Sequence, residues 1–228
     1  MKTTWIRANN ISEANVSIID NQLVTYLQEN QFDKFFIEAV RNKKNIAVVG
    51  DTGSGKTTFM KSICQYLEKN ERIITIEDVR ELFIDHPNQV NLLYSKGGQG
   101  VAKVTPADLI ASCMRMKPDR VLLAELRGSE SYDFLKLLTT GHSGSITSFH
   151  AASCEDAMAR FVLMAKEHPE AAAYQDTALK RLMFTAIDII AHQRAELIFD
   201  KKGIQTGKKR VMTGIYFDPV KKINIAME

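Results

Sequence analysis

The chain has no run of about 18 consecutive apolar residues, so no segment reads as a membrane-spanning helix. No apolar stretch follows Lys2 and Arg7, so no secretory leader is recognisable, and a cytosolic address is the default. Cysteine is scarce as well. Cys64, Cys113 and Cys154 are three in number, widely separated, and fit neither a disulfide framework nor a Cys/His zinc spacing. They read as small buried hydrophobes. No charge of one sign dominates, since 30 Lys+Arg stand against 27 Asp+Glu. Residues 200–228 carry seven basic and three acidic side chains, leaving 23 against 24 in the body. A nucleic-acid binder needs a broader basic field, so DNA or RNA is not expected as a direct ligand. Internal repeats and low-complexity tracts are missing too, and 45% apolar with 25% charged residues describes an ordinary folded domain.

What is present has a clear rhythm. After a strand-like stretch at 3–7, two helical segments carry apolar faces through Leu23, Leu27, Phe35, Phe36 and Val40. Short β-rich runs at 45–49, 72–76, 120–124, 145–149 and 188–192 then alternate with helical patterns at 56–70, 106–116, 129–139, 153–167 and 171–186. That alternation predicts an α/β fold, a mostly parallel twisted sheet with helices on both faces. Strand-like runs at 196–199, 211–217 and 221–226 close the chain, and Asp218-Pro219 reads as the turn of a C-terminal antiparallel hairpin. The charged stretch 201–210 reads as a solvated loop. Residues 1–44 are taken as a linker and helical lead-in, and 45–228 as the main domain.

The strongest motif is Gly50-Asp51-Thr52-Gly53-Ser54-Gly55-Lys56-Thr57, which satisfies G-x-x-x-x-G-K-[ST] between an apolar run and a helical pattern. Glycines let successive N–H groups turn inward around an anion, and the helix that follows, with Thr58 in its first turn, adds partial positive charge. Lys56 is expected to reach the β- and γ-phosphates, and the Thr57 hydroxyl to ligate Mg²⁺. A flexible Gly/Ser turn is the bland alternative, and a bound triphosphate does not by itself mean hydrolysis.

In open α/β sheets ligands sit at the carboxyl ends of strands. The run 120–124 ends at Glu125 and the run 72–76 at Glu77-Asp78. Such acids bind Mg²⁺ through water or polarise an attacking water, although a strand-end acid is more often a turn residue or helix cap. Thr140-Gly141-His142-Ser143-Gly144-Ser145 leads into the run 145–149, with His150 just past its end. Its glycines permit a bend that aims His142 at a γ-phosphate, while plain exposure is the usual fate of such a histidine.

Taken in order, the cradle, Thr75-Ile-Glu-Asp-Val-Arg-Glu-Leu82, the stretch 115–128 and the stretch 140–151 resemble the Walker A, Asp box, Walker B and His box of the secretion ATPase superfamily. The traffic ATPases of bacterial type IV secretion are the nearest likeness. The resemblance implies a RecA-like P-loop NTPase fold and a hexameric ring binding ATP/ADP and Mg²⁺. It further implies hydrolysis that drives pilus biogenesis and substrate translocation at the cytoplasmic face of the inner membrane. Expected partners are further copies of the chain, other secretion ATPases and inner-membrane secretion components, with peripheral membrane association. By motif, Glu77 and Glu125 are the implied catalytic carboxylates beside Lys56, Glu125 also facing Mg²⁺, and His142 is the implied γ-phosphate sensor. Arg7 resembles an arginine that reaches the γ-phosphate, and Arg127 is placed to face a neighbouring subunit or to form an ion pair.

Two departures stand out. Ala124 replaces the glycine usual before the Walker B acid, and the family's further N-terminal domain, roughly 100 or more residues, is expected to be missing from this chain. Contacts from that part are then expected to be lost. A nucleotide switch that docks secretion components, and a DNA-translocating motor, are the alternative readings.

Overall fold

The computed structural model describes residues 16–95, 104–200 and 202–227. The strand expected at 3–7 and Arg7 lie outside the described residues. In chain order the elements are α1 (Ile18–Gln28), α2 (Phe32–Arg41), β1 (Ile46–Gly50), α3 (Lys56–Cys64), β2 (Ile73–Glu77), β3 (Gln89–Leu93), α4 (Pro106–Cys113) and β4 (Arg120–Leu123). There follow α5 (Glu130–Thr139), β5 (Ile146–Phe149), α6 (Cys154–Lys166), α7 (Pro169–Ala172), α8 (Asp176–Ala186), β6 (Ile189–Phe199), β7 (Gln205–Phe217) and α9 (Pro219–Met227).

The strands form one seven-stranded sheet in the order β3-β2-β4-β5-β1-β6-β7. Every pairing is parallel except β6 with β7. Both faces are covered, as a buried parallel sheet requires. Successive side chains of a strand point to opposite faces, so Ala47 and Val49 join the core under α4, α5, α6 and α8, whereas Ile46 and Val48 join the core under α1, α2 and α3. Residues 16–44 therefore form part of the layer that covers the second face.

The amino-terminal rim of the sheet is pinned by polar groups. Arg120, fully buried, makes two hydrogen bonds to Glu71 at 2.7 and 3.1 Å and donates to Val40 O at 2.6 Å. Asn45 Oδ1 accepts from the amides of Gly144 at 2.7 Å and Ser145 at 3.1 Å, and its Nδ2 donates to Ala186 O at 2.7 Å.

Three expectations fail, each for a physical reason. Gln89–Leu93 is a strand that the sequence hides, because an edge position leaves it only half buried and its polar residues break the apolar run. Asp218-Pro219 does not turn a hairpin. It opens α9, with Asp218 Oδ1 accepting from Lys221 N at 2.9 Å and Pro219 at the first helical position, where a missing N–H costs nothing. The hairpin instead joins β6 to β7, and Asp200 Oδ1 accepts the amides of Lys202 and Ile204 between them, each at 2.8 Å. Six of the ten residues expected as a solvated loop, 205–210, are thus strand. Among the described residues no helix is long and apolar enough to cross a membrane.

Candidate nucleotide-binding cleft

The loop 50–55 leaves the carboxyl end of β1 and enters α3. Gly50 has φ 146° and lies so near β6 that a Cβ there would sit 2.0 Å from Gln193 O, so only glycine fits. Gly55, at φ 96°, lies under the Arg210 side chain, 2.5 Å from an added Cβ. The N-terminus of α3 has no side-chain cap and no acidic residue in its first turn, so its amides keep their capacity for an anion. Ser54 Oγ, buried, has no hydrogen-bond partner. Lys56 is folded back on the loop, its Nζ donating to Gly50 O at 2.9 Å and Asp51 O at 3.1 Å. Burial holds its pKa below the ordinary lysine value, with Glu125 and Asp51 pulling the other way.

Because β1, β2, β4 and β5 run parallel, the residues that follow them gather at the same rim. A cleft of about 360 Å³ is lined by Thr52, Gly53, Gly55, Lys56, Thr57 and Thr58 of the cradle, Asp78 and Glu81 after β2, Ala124, Glu125 and Arg127 after β4, Ser148 and His150 of β5 and its end, and Arg210 of β7. Glu125 is held on both oxygens. His150 Nε2 lies 2.8 Å from Oε1, and Arg127 binds Oε2 through Nε at 2.7 Å and through a second, shorter contact from Nη2. Arg127 Nη1 also reaches Asp78 Oδ2 at 2.8 Å, so one guanidinium ties two strand ends together. Partial burial works against its charge, but the bonds to Glu125 and Asp78 prevail and hold its proton more tightly than usual.

Two expected residues stand elsewhere. Glu77 is buried beside the cleft and does not line it; its Oε1 accepts from the amides of Glu81 at 3.0 Å and Leu82 at 2.8 Å, which shapes the loop that presents Asp78 and Glu81. His142 corrects a second expectation. It precedes β5, whose register pairs Ile146 with Ile46 and Phe149 with Val49. Four residues at about 3.3 Å each put about 13 Å between it and the cradle's rim. The histidine at the cleft is His150. The rule that selects Glu125, a polar residue just after an apolar run, selects His150 as well; Arg210 has no such signal, since its place depends on β6 and β7 running past the rim, with Ala195 opposite Arg210.

A family profile described as "Type II/IV secretion system protein" matches residues 4–209. The chain belongs to that family. Within the family it is 39% identical over 212 residues to the type IV secretion system protein VirB11 of Brucella suis, covering 92% of this chain and 57% of the relative. It is 41% identical over 189 residues to the type IV secretion system protein PtlH of Bordetella pertussis, covering 82% and 54%. A crystal structure of the VirB11 ATPase of the Brucella suis type IV secretion system in complex with sulphate superposes with TM-score 0.84 at 36% identity, covering 98% of this chain and 62% of that one. The chain thus spans a little over half the length of the relatives it matches. Its fold is the RecA-like α/β arrangement of these secretion-family proteins.

Proposed function

We propose that the chain is the nucleotide-hydrolysing part of a type IV secretion motor, splitting ATP to ADP and phosphate. The observation that carries this reading is the convergence of Lys56, Thr57, Glu125 and His150 on one cleft at the mouth of the 50–57 loop. The names of the relatives, VirB11 and PtlH of type IV secretion systems, supply the process.

The loop amides and Lys56 would receive the β- and γ-phosphates, Lys56 exchanging the carbonyls of Gly50 and Asp51 for phosphate oxygens. The orphaned Ser54 Oγ and the uncapped first turn of α3 fit such an anion. Thr57 with the carboxylates of Asp78, Glu81 and Glu125 would offer Mg²⁺ the hard oxygen donors that it takes. Among the described residues no group of three or more His, Cys, Asp or Glu could hold a metal ion, and phosphate and water would have to supply further oxygens. Mg²⁺, when bound, neutralises charge on the phosphate oxygens. Glu125 orients and deprotonates the attacking water, His150 positions Glu125, and Glu77 acts at one remove by shaping the loop that carries Asp78. Arg7 is assigned to the γ-phosphate. Residues 45–228 are taken as the ATPase domain, working in a hexamer on the cytoplasmic face of the inner membrane beside other secretion ATPases and membrane components.

The test is Mg²⁺-dependent phosphate release by wild type and Lys56→Ala. Loss of more than about 100-fold in the variant, with the fold retained, is expected from removing the cradle cation. Unchanged release overturns the assignment. A second reading draws on the double engagement of Glu125 by Arg127 and His150: a cleft so closed suits a nucleotide switch that binds without turnover. Nucleotide binding with no release in wild type selects it.

A further inference from the structure

The ladder between β6 and β7 skips a residue. His192 faces Gly214 while Gln193 faces Met212, so Thr213 is left over and forms a β-bulge. The bulge sits at the level where the phosphate loop leaves the sheet, because His192 and Gln193 pair on their other side with Val49 and Gly50 of β1. The buried His192 ring is fixed there by two hydrogen bonds, one between Nδ1 and the Thr213 hydroxyl and one to the backbone of Ala151. We infer that this contact is a register lock, His192 and Thr213 being positioning residues that turn Arg210 toward the 50–57 loop. The inference rests on the nucleotide-site reading and deepens it.

A lock is needed because burial alone does not set the register here. A slip of one residue sends every side chain of a strand to the other face, and only a one-sided apolar pattern forbids it. Val211 and Met212 are adjacent and both apolar, so either could take the face toward α3. Past Gln193, β6 pairs with β7 alone among the described residues, and Leu197, Ile198 and Phe199 are exposed on the resulting arm. In the observed register Met212 and Arg210 stand opposite Gln193 and Ala195, on the face that Ala191 and Ile215 share with α1, α2 and α3. The Arg210 side chain then lies over Gly55 and lines the phosphate cleft, where a guanidinium suits phosphate oxygens. Paired without the bulge, Gln193 would face Thr213 and Ala195 would face Val211. Arg210 would then point to the face of α6, away from the loop. Which face the cation takes therefore hangs on the one extra residue and on the ring that holds it.

Two readouts on the 228-residue chain separate the lock from the site it serves. The first is cross-linking, undisturbed by Cys64, Cys113 and Cys154, which are buried. Leu197 faces Lys208 now and would face Lys209 after the slip. A disulfide needs opposed Cβ atoms about 4 Å apart, so Leu197→Cys/Lys208→Cys is expected to oxidise about tenfold faster than Leu197→Cys/Lys209→Cys. Thr213→Val keeps the shape, loses the hydroxyl and should bring the two rates within about twofold; His192→Phe should do the same, and Thr213→Ser should restore the wild-type order. The second readout is calorimetry with MgADP. Arg210→Ala is expected to weaken binding about tenfold, Thr213→Val about fivefold, and Thr213→Val added to Arg210→Ala less than about twofold further. A cross-linking order that neither Thr213→Val nor His192→Phe changes overturns the lock, as does a Thr213→Ser variant as loose as Thr213→Val. Losses of affinity that add in the double variant, or an Arg210→Ala variant that binds like wild type, overturn its link to the cleft. Wild type that cross-links as expected and binds no MgADP overturns the nucleotide site itself, a separable result.

Discussion

The two rims of the sheet are built from similar residues and do opposite things. At the amino rim Asn45, Arg120, Ser145 and Gly144 spend their hydrogen bonds on the protein's own backbone and on Glu71. Gly144 even needs its missing Cβ for the same purpose, since an added one would lie 2.7 Å from Arg120 Nη1. At the carboxyl rim some groups are left over, an uncapped helix start and the unpartnered Ser54 hydroxyl, and an acid is held between a histidine and an arginine where it lines the cleft. Glycine with polar residues marks a pinned corner at one rim and the proposed nucleotide cleft at the other. The direction of the adjoining strand decides which.

Mutations that strike the rims separately test this contrast. The largest expected effect belongs to the pinned rim: Arg120→Ala leaves Glu71 buried without its main partner and should cost about 3–5 kcal/mol of unfolding free energy in urea, while phosphate release per folded molecule is retained. Glu125→Gln should behave in reverse, lowering turnover about 100-fold with nucleotide affinity kept and stability changed by less than about 1 kcal/mol. A drop in stability equal to that of Arg120→Ala would erase the distinction between the rims. The histidines make the comparison finer. His150→Ala is expected to slow hydrolysis about tenfold through a loosened Glu125, and His142→Ala to leave it within about twofold; steady-state rates in that reversed order restore His142 to the site.

The smallest effect concerns reactivity. Burial pushes the thiols of Cys64 and Cys154 up to about 12 and that of Cys113 up to about 11. All three should resist a thiol reagent at neutral pH until the chain unfolds. The linked sign is that stability holds below the unfolded thiol pKa, near 9, and falls as pH rises above it, because only the unfolded state then releases these protons. A urea midpoint that climbs between pH 8 and 10 contradicts this.

Sequence patterns disclosed the cradle because an anion dictates its spacing, and they disclosed β1, β2, β4 and β5 because strands buried on both faces must be runs of apolar residues. They concealed β3, whose Gln89 and Asn91 suit an edge, and α9, where Val220, Ile223 and Ile225 fit a strand and a helix alike until Asp218 and Pro219 are seen as a cap. Site residues divide in the same way. Lys56, Thr57 and Glu125 follow from local order, but the glycine bend and the motif that single out His142 do not say which strand end it adjoins, and Arg210 reaches the cleft through pairing between β6 and β7. The tie from Arg127 to Asp78 spans 49 residues and no local pattern foretells it.

The posture of Lys56 has one more consequence. Its side chain is largely buried by folding, and its ammonium rests on two peptide oxygens of its own loop. On the proposed reading, an arriving phosphate would meet a cation already held by oxygens, and docking would be a swap of one set of oxygens for another.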